Sequence, residues 1–198
     1  LISGTQGQVW FIKLIDDKIY CGLNDGTYLL ENNRLKKIGS LSGGYNLIKL
    51  DNEKGLFIQN TYSQLVTYKT EQNNLVQHQI IEGFSSPSKL LEVDFQGNIW
   101  LGHSIDGITR LQPNNDLSSI VKTLKIDDKQ GLNFKTNRVY KVDNRIVVPS
   151  KKGLLRWDDI KEQFILFDEL NAQLQDFEKS YAIISLPNSR YWFIKNNE

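Results

Sequence analysis

The chain has 198 residues, 39% of them hydrophobic and 24% charged, with a formal net charge of +1. That is ordinary globular composition, and the near-neutral balance excludes the basic footprint of a nucleic-acid-binding domain. Apolar runs fall well short of the ~18 residues that a membrane span needs, so this segment is not expected to insert into a bilayer. The sequence starts at Leu1 and contains no methionine, which reads as a segment excised or processed from a longer protein. A single cysteine, Cys21, excludes an internal disulfide and a multi-cysteine metal site. Between Tyr20 and Gly22 on a predicted strand, it is expected to be a small buried thiol.

In chain order, Val9 to Ile15 is a β-branched and aromatic run suited to a buried strand, and Asp16-Asp17 supplies a tight turn. Ile19 to Gly22 and Thr27 to Leu30 follow as strands around Asn24-Asp25-Gly26, a hairpin signal because Asp-Gly readily takes positive φ. Glu31-Asn32-Asn33 then turns into Arg34 to Ile38. A looser copy runs through Tyr45 to Leu50, the turn Asp51-Asn52-Glu53-Lys54, Gly55 to Gln59, Gln64 to Tyr68 and Leu75 to Ile81. The clearest copy has Lys89 to Val93, the turn Asp94-Phe95-Gln96-Gly97, Ile99 to Gly102, Asp106-Gly107, Ile108 to Leu111 and Ser119 to Ile126. A fourth follows with Arg138 to Val142, Asp143-Asn144, Ile146 to Pro149, Lys152-Gly153, Leu154 to Trp157 and Phe164 to Phe167. Between Asp168 and Lys179, Leu170, Leu174 and Phe177 fall at helical spacing, predicting a short helix or ordered connector. Two more strands, Tyr181 to Leu186 and Tyr191 to Ile194, flank the turn Pro187-Asn188-Ser189.

Aligned on Tyr20, Phe57, Trp100, Val147 and Trp192, the second strands recur at 37, 43, 47 and 45 residues. A four-stranded unit repeating every ~40–50 residues predicts a β-propeller, because one such sheet buries both faces only by stacking on its neighbours. A β-sandwich also has regularly spaced strands, but it does not require a returning motif. The predicted class is therefore all-β, an incomplete propeller of four-stranded antiparallel blades. Its approximate units are 1–38, 39–82, 83–127, 128–170 and a half unit at 171–198. Trp10, Trp100 and Trp192 are expected in inter-blade core, and Trp157, late on a third strand, is expected to be more exposed.

Catalytic patterns are thin. His78 and His103 have no metal-binding spacing, so no metal or cofactor is expected. His103, placed on a loop beside Ser104 and near Asp106, invites a Ser-His-Asp reading, but no oxyanion site accompanies it. The pairs Asp127-Asp128 and Asp158-Asp159 sit at turns, where Asp satisfies backbone donors. Ser42-Gly43-Gly44 lacks the lysine and strand–helix context of a phosphate loop. In a propeller, the loops between second and third strands gather at one end with the connectors between units. That rule gives candidate ligand residues Asn24, Tyr62, His103, Asp106 and Lys151 from the former, and Tyr45 and Phe134 from the latter. Their aromatic and polar mixture suits a sugar or a protein contact.

The repeat resembles the two-component-regulator propeller repeat of the periplasmic sensor region of bacterial hybrid two-component histidine kinases. Asp94, Gly97, Ile99-Trp100-Leu101-Gly102 and Gly107-Ile108 match its Asp-x-x-Gly and Leu-Trp-Ile-Gly-Thr-x-x-Gly-Leu segments, with one extra residue between the glycines. Gly22 and Gly26 keep the family spacing, and Gly131-Leu132 before Asn137-Arg138-Val139 matches the lead into a blade. The second unit lacks the Trp and both glycines, and the fourth has Pro149 in place of the first glycine. The resemblance implies a non-catalytic, extracytoplasmic input module, often for carbohydrate cues, whose membrane span and kinase core lie outside these residues. Its implied partners are an oligosaccharide and the remaining blades of the parent protein, with a homodimer as another way to cover the open ends. The competing readings are a propeller polysaccharide lyase or hydrolase fragment and a protein-interaction scaffold.

Overall fold

The computed structural model describes residues 2, 7–50, 55–103, 106–132, 134, 136–186 and 188–195. The turn Asp51-Asn52-Glu53-Lys54, Ser104, Ile105 and Pro187 lie outside the described residues.

Among the described residues, eighteen strands form five sheets. The first sheet contains β1 (Val9–Ile15), β2 (Lys18–Leu23), β3 (Gly26–Glu31) and β4 (Arg34–Gly39). The second contains β5 (Asn46–Lys49), β6 (Leu56–Asn60), β7 (Leu65–Glu71) and β8 (Asn74–Ile81). The third is β9 (Leu90–Val93), β10 (Ile99–His103), β11 (Gly107–Pro113) and β12 (Ile120–Ile126). The fourth is β13 (Tyr140–Val142), β14 (Arg145–Ser150), β15 (Gly153–Asp158) and β16 (Gln163–Leu166). Helix α1 (Asp168–Leu174) then leads to the two-stranded sheet β17 (Ala182–Leu186) and β18 (Arg190–Ile194). Strands pair in sequence order and antiparallel throughout, each sheet being a meander. The first strands of successive four-stranded sheets adjoin, β1 with β5, β5 with β9 and β9 with β13, and so line the axis of an unclosed wheel. This is an incomplete β-propeller.

Residue alternation builds the wheel. Second strands are buried on both faces, and successive side chains enter different interfaces. Leu56 and Ile58 of β6 face the third sheet, while Phe57 packs with Phe11, Tyr20 and Leu29 of the first. On β10, Ile99 and Leu101 join the core shared with the second sheet, and Trp100 joins the core shared with the fourth. On β14, Ile146 and Val148 point back to the third sheet and Val147 points on to Phe167 and Ile183. Four apolar cores therefore fill the four gaps between five sheets, the expected use of period-two alternation in strands covered on both sides.

Trp100 lies in inter-blade core as expected, but other tryptophans depart from expectation. Trp157 is buried, its ring 4.9 Å from Trp100 and 5.2 Å from Phe164, because its strand faces the third sheet rather than solvent. Trp192 is 62% exposed because it lies on the outward face of the last sheet. At the other end, Ile12 and Leu14 are each 69% exposed on the outward face of β1. Cys21 is buried as expected, and burial raises its thiol pKa.

The repeated motif has a local cause. Asp94 Oδ1 accepts the Gln96 and Asn98 backbone N–H groups, each at 2.9 Å, closing the β9–β10 turn. Its Oδ2 accepts the Trp100 indole N–H at 2.8 Å and the Asn98 amide at 3.0 Å. Gly102 is required sterically: a Cβ there would stand 1.9 Å from the Asn137 carbonyl oxygen of the next connector. Gly22 meets the same constraint, 2.0 Å from Gly44 O. Helix α1 is tied back by Asn171, which donates to Leu154 O at 3.0 Å and accepts from Leu154 N–H at 2.8 Å.

Candidate functional site

Among the described residues, the inner strands belong to separate sheets and do not pair with one another through the backbone, so side chains bridge them around the axis. Lys13 Nζ donates to Leu47 O at 2.7 Å, joining β1 to β5. Glu92 on β9 accepts the Lys141 backbone N–H of β13. Removal from water pushes its carboxyl up to about 7, against the opposing pull of Lys13, Lys141 and that N–H. The same desolvation lowers the Lys13 pKa, with Glu92 acting against it.

At the end carrying the second-to-third-strand loops and the connectors, three expected residues converge. Tyr62 OH donates to Asn24 Oδ1 at 2.8 Å, and the Tyr45 and Tyr62 ring centroids are 5.3 Å apart at 73°. Trp10, read from sequence as core, completes this patch, edge-on to Tyr45 at 4.5 Å and to Tyr62 at 6.2 Å. Lys89 Nζ lies 5.8 Å from the Trp10 ring centroid. Rings this close pack on one another rather than forming a cage around a cation, and they leave an amphipathic shelf of half-buried aromatic surface. Burial raises the Tyr45 hydroxyl pKa, with Tyr62 adding to the effect.

Phe134 and Lys151 meet elsewhere on the same end, in a cavity of about 780 Å³ between the fourth and fifth sheets. Arg138, Lys179, Tyr181 and Lys195 line it with them. The structure does not unite the seven candidates in one place. His103 is the last residue of β10, not an exposed loop residue, and is only 4% exposed. Its Nδ1–H donates to Pro87 O at 3.0 Å, and its ring faces Phe84 at 6.0 Å. Asp106 is exposed at the following turn. Trp10, Lys89 and Arg138 were missed because their partners are distant in sequence; Arg138 reaches Tyr181 across 43 residues.

The carboxylate pairs serve turns. Asp127 caps the 3₁₀ turn Asp128–Gln130, and Asp158 Oδ1 accepts the Ile160 and Lys161 N–H groups at 3.0 Å. At the opposite end, a cavity of about 710 Å³ runs beside the Asp94 turn. Its Arg110 is held by Gln96 and Glu162 and lies over the Trp100 and Trp157 rings. Among the described residues, no group of three or more His, Cys, Asp or Glu side chains is placed to hold a metal ion, and no helix is long and apolar enough to cross a membrane.

No protein-family model matches the chain, and no curated protein matches it. Solved structures share its fold. The extracellular domain of a protein assigned to a hybrid two-component system of B. thetaiotaomicron aligns at 12% identity with a TM-score of 0.58, over 96% of this chain and 26% of that one. Virginiamycin B lyase of Staphylococcus aureus aligns at 11% identity and a TM-score of 0.57, over 98% and 65%. The WD40 β-propeller domain of Doa1 aligns at 14% identity and a TM-score of 0.55, over 81% and 54%. The chain thus spans about half of that WD40 domain and about a quarter of the two-component extracellular domain.

Proposed function

We propose that the chain is an extracytoplasmic ligand-sensing module of a two-component sensor histidine kinase, non-catalytic in itself and responsive to a carbohydrate. The observation that carries this reading is the shelf of Trp10, Tyr45 and Tyr62 with Asn24 at its edge. Aromatic faces beside amide and hydroxyl groups are the surface that a pyranose ring, apolar on its faces and polar at its rim, stacks upon. The repeat motif and the likeness to a two-component extracellular domain lend support. Binding alters signalling only through unequal affinity for two states of the receptor. A shelf built from two adjacent sheets supplies a route to that inequality, since a shift of one sheet against the other moves Trp10 relative to Tyr62.

The outward faces bearing Ile12 and Leu14, and Ile184 and Trp192, pack in the parent protein against its remaining blades. A second reading, a propeller lyase or hydrolase, is favoured by the likeness to virginiamycin B lyase. Calorimetric titration with neutral and acidic oligosaccharides, with chromatography of the recovered sugar, tests both. The sensor reading expects binding that weakens about tenfold in Tyr62→Ala, with the sugar returned intact. Shortened or unsaturated sugar would establish the enzyme instead, and binding indifferent to Tyr62→Ala would remove the shelf from the site.

A further inference from the structure

We infer that the groove between the fourth and fifth sheets is an anion site for an acidic oligosaccharide, whose carboxylate or sulfate groups lie on Arg138, Lys151, Lys179 and Lys195. The inference rests on the carbohydrate reading above and adds a ligand chemistry and a second place of contact. A cavity of about 780 Å³ falls within the ~300–1,000 Å³ range of small-molecule sites. Four cations line it against one carboxylate, Asp176, in a chain whose formal net charge is only +1. The ion pairs Lys37–Asp25 and Arg110–Glu162 involve none of these four cations. A concave surface lined by one sign of charge focuses its field and concentrates ligands of the opposite sign.

Two of the cations are positioned. Arg138 donates to Tyr181 O and stacks over the Tyr181 ring at 4.7 Å, which fixes the plane of its guanidinium. A fixed planar fork is the arrangement that binds carboxylate or sulfate through two parallel hydrogen bonds. Lys195 Nζ lies 4.9 Å from the Phe177 ring centroid. Phe134 and Tyr181 add aromatic surface to the same cavity, so charge and ring stacking are available to one ligand. That pairing favours a charged sugar over a bare inorganic anion.

The test is calorimetry of the full chain with sulfated chondroitin tetrasaccharide, tetragalacturonate, neutral cellotetraose and inorganic sulfate, at low and moderate salt. Lys151 and Lys179 are exposed, so K151E/K179E should fold normally, as near-UV circular dichroism would verify. The expected result is acidic-tetrasaccharide binding that falls about tenfold in K151E/K179E, weakens with salt, and persists in Tyr62→Ala, in which the neutral-sugar response weakens about tenfold. Acidic binding unchanged in folded K151E/K179E, or matched by cellotetraose in the wild type, overturns the groove assignment and leaves the carbohydrate reading standing. Sulfate binding without binding of either acidic sugar also overturns it. Failure of every saccharide to bind defeats both.

Discussion

Replacing Asp94 by Asn changes one oxygen to an amide and should loosen two interfaces at once. In the native turn the carboxylate accepts two backbone N–H groups through Oδ1, and the Trp100 indole and Asn98 amide through Oδ2. In D94N the substituted side chain keeps one acceptor for the backbone pair but turns its NH₂ toward two donors. The Asn98 amide can flip to present oxygen; the Trp100 N–H, on a residue with no exposed surface, cannot. An orphaned buried donor costs about 1–3 kcal/mol, and losing a charge-assisted bond adds to it, so the loss should be about 2–4 kcal/mol. For a chain of this size that lowers Tm by roughly 5–15 °C. Urea unfolding followed by tryptophan fluorescence measures it. In Trp100→Phe, which lacks the donor, D94N should cost at least ~1 kcal/mol less. A D94N cost below ~0.5 kcal/mol, or one unchanged in the W100F background, would refute the assignment of this bond as the reason for the Asp–Trp spacing.

Gly102→Ala places its Cβ against the Asn137 carbonyl oxygen and should destabilise by about 1–3 kcal/mol, while Gly97→Ala meets no atom within 4 Å and acts only through its left-handed φ of 84°; thermal melts compare the two. Glu92 titrates near 7 when folded against an ordinary value of 4.5, so between those values the folded chain holds a proton that the unfolded chain has released. Stability should therefore fall as pH rises from about 4.5 to 7 and then level off, and Glu92→Gln should flatten that slope in denaturant melts across the range. The outward residues Leu14 and Trp192 should drive concentration-dependent association of the isolated chain. Sedimentation velocity should show a shift to monomer in L14K/W192S, and a wild type that is monomeric at all concentrations would count against sticky ends.

Turn chemistry and alternation made the strands readable. Asp-Gly at residues 25–26 and the two-residue turn Asp16-Asp17, with positive φ at Gly26 and at both aspartates of the turn, left little choice for the first sheet. What lies across each interface was less readable, because period two says that a side chain has two possible neighbours without saying which sheet supplies them. Trp157 and Trp192 both occupy aromatic strand positions; one is walled by the third sheet and the other faces outward. His103 looked like a loop residue because the signal for the end of β10 is weak, yet the Pro87 carbonyl holds its ring inside. Gln59 stands where a glycine belongs, and nothing local marks it as the acceptor for Thr27 of the first sheet at 2.8 Å and for Tyr68 of its own sheet at 2.9 Å. Propeller geometry puts Asn24, Tyr45 and Tyr62 at one end of the wheel, where they do lie together, but it did not place Trp10 beside them.

The close approaches at Gly22 and Gly102 carry a consequence for biosynthesis. Each glycine lies under a stretch of backbone that follows it in the chain, Gly44 for the first and Asn137 for the second. A nascent blade emerging from the ribosome therefore has its own hydrogen bonds available before the strap that crosses it has been translated. Until that strap arrives, the end of its second strand is open to water. Synthesis from the amino terminus thus seals the first and third blades with the next connector to appear, and a translational pause placed just before residue 44 or residue 137 would hold the preceding blade unsealed for as long as the pause lasts.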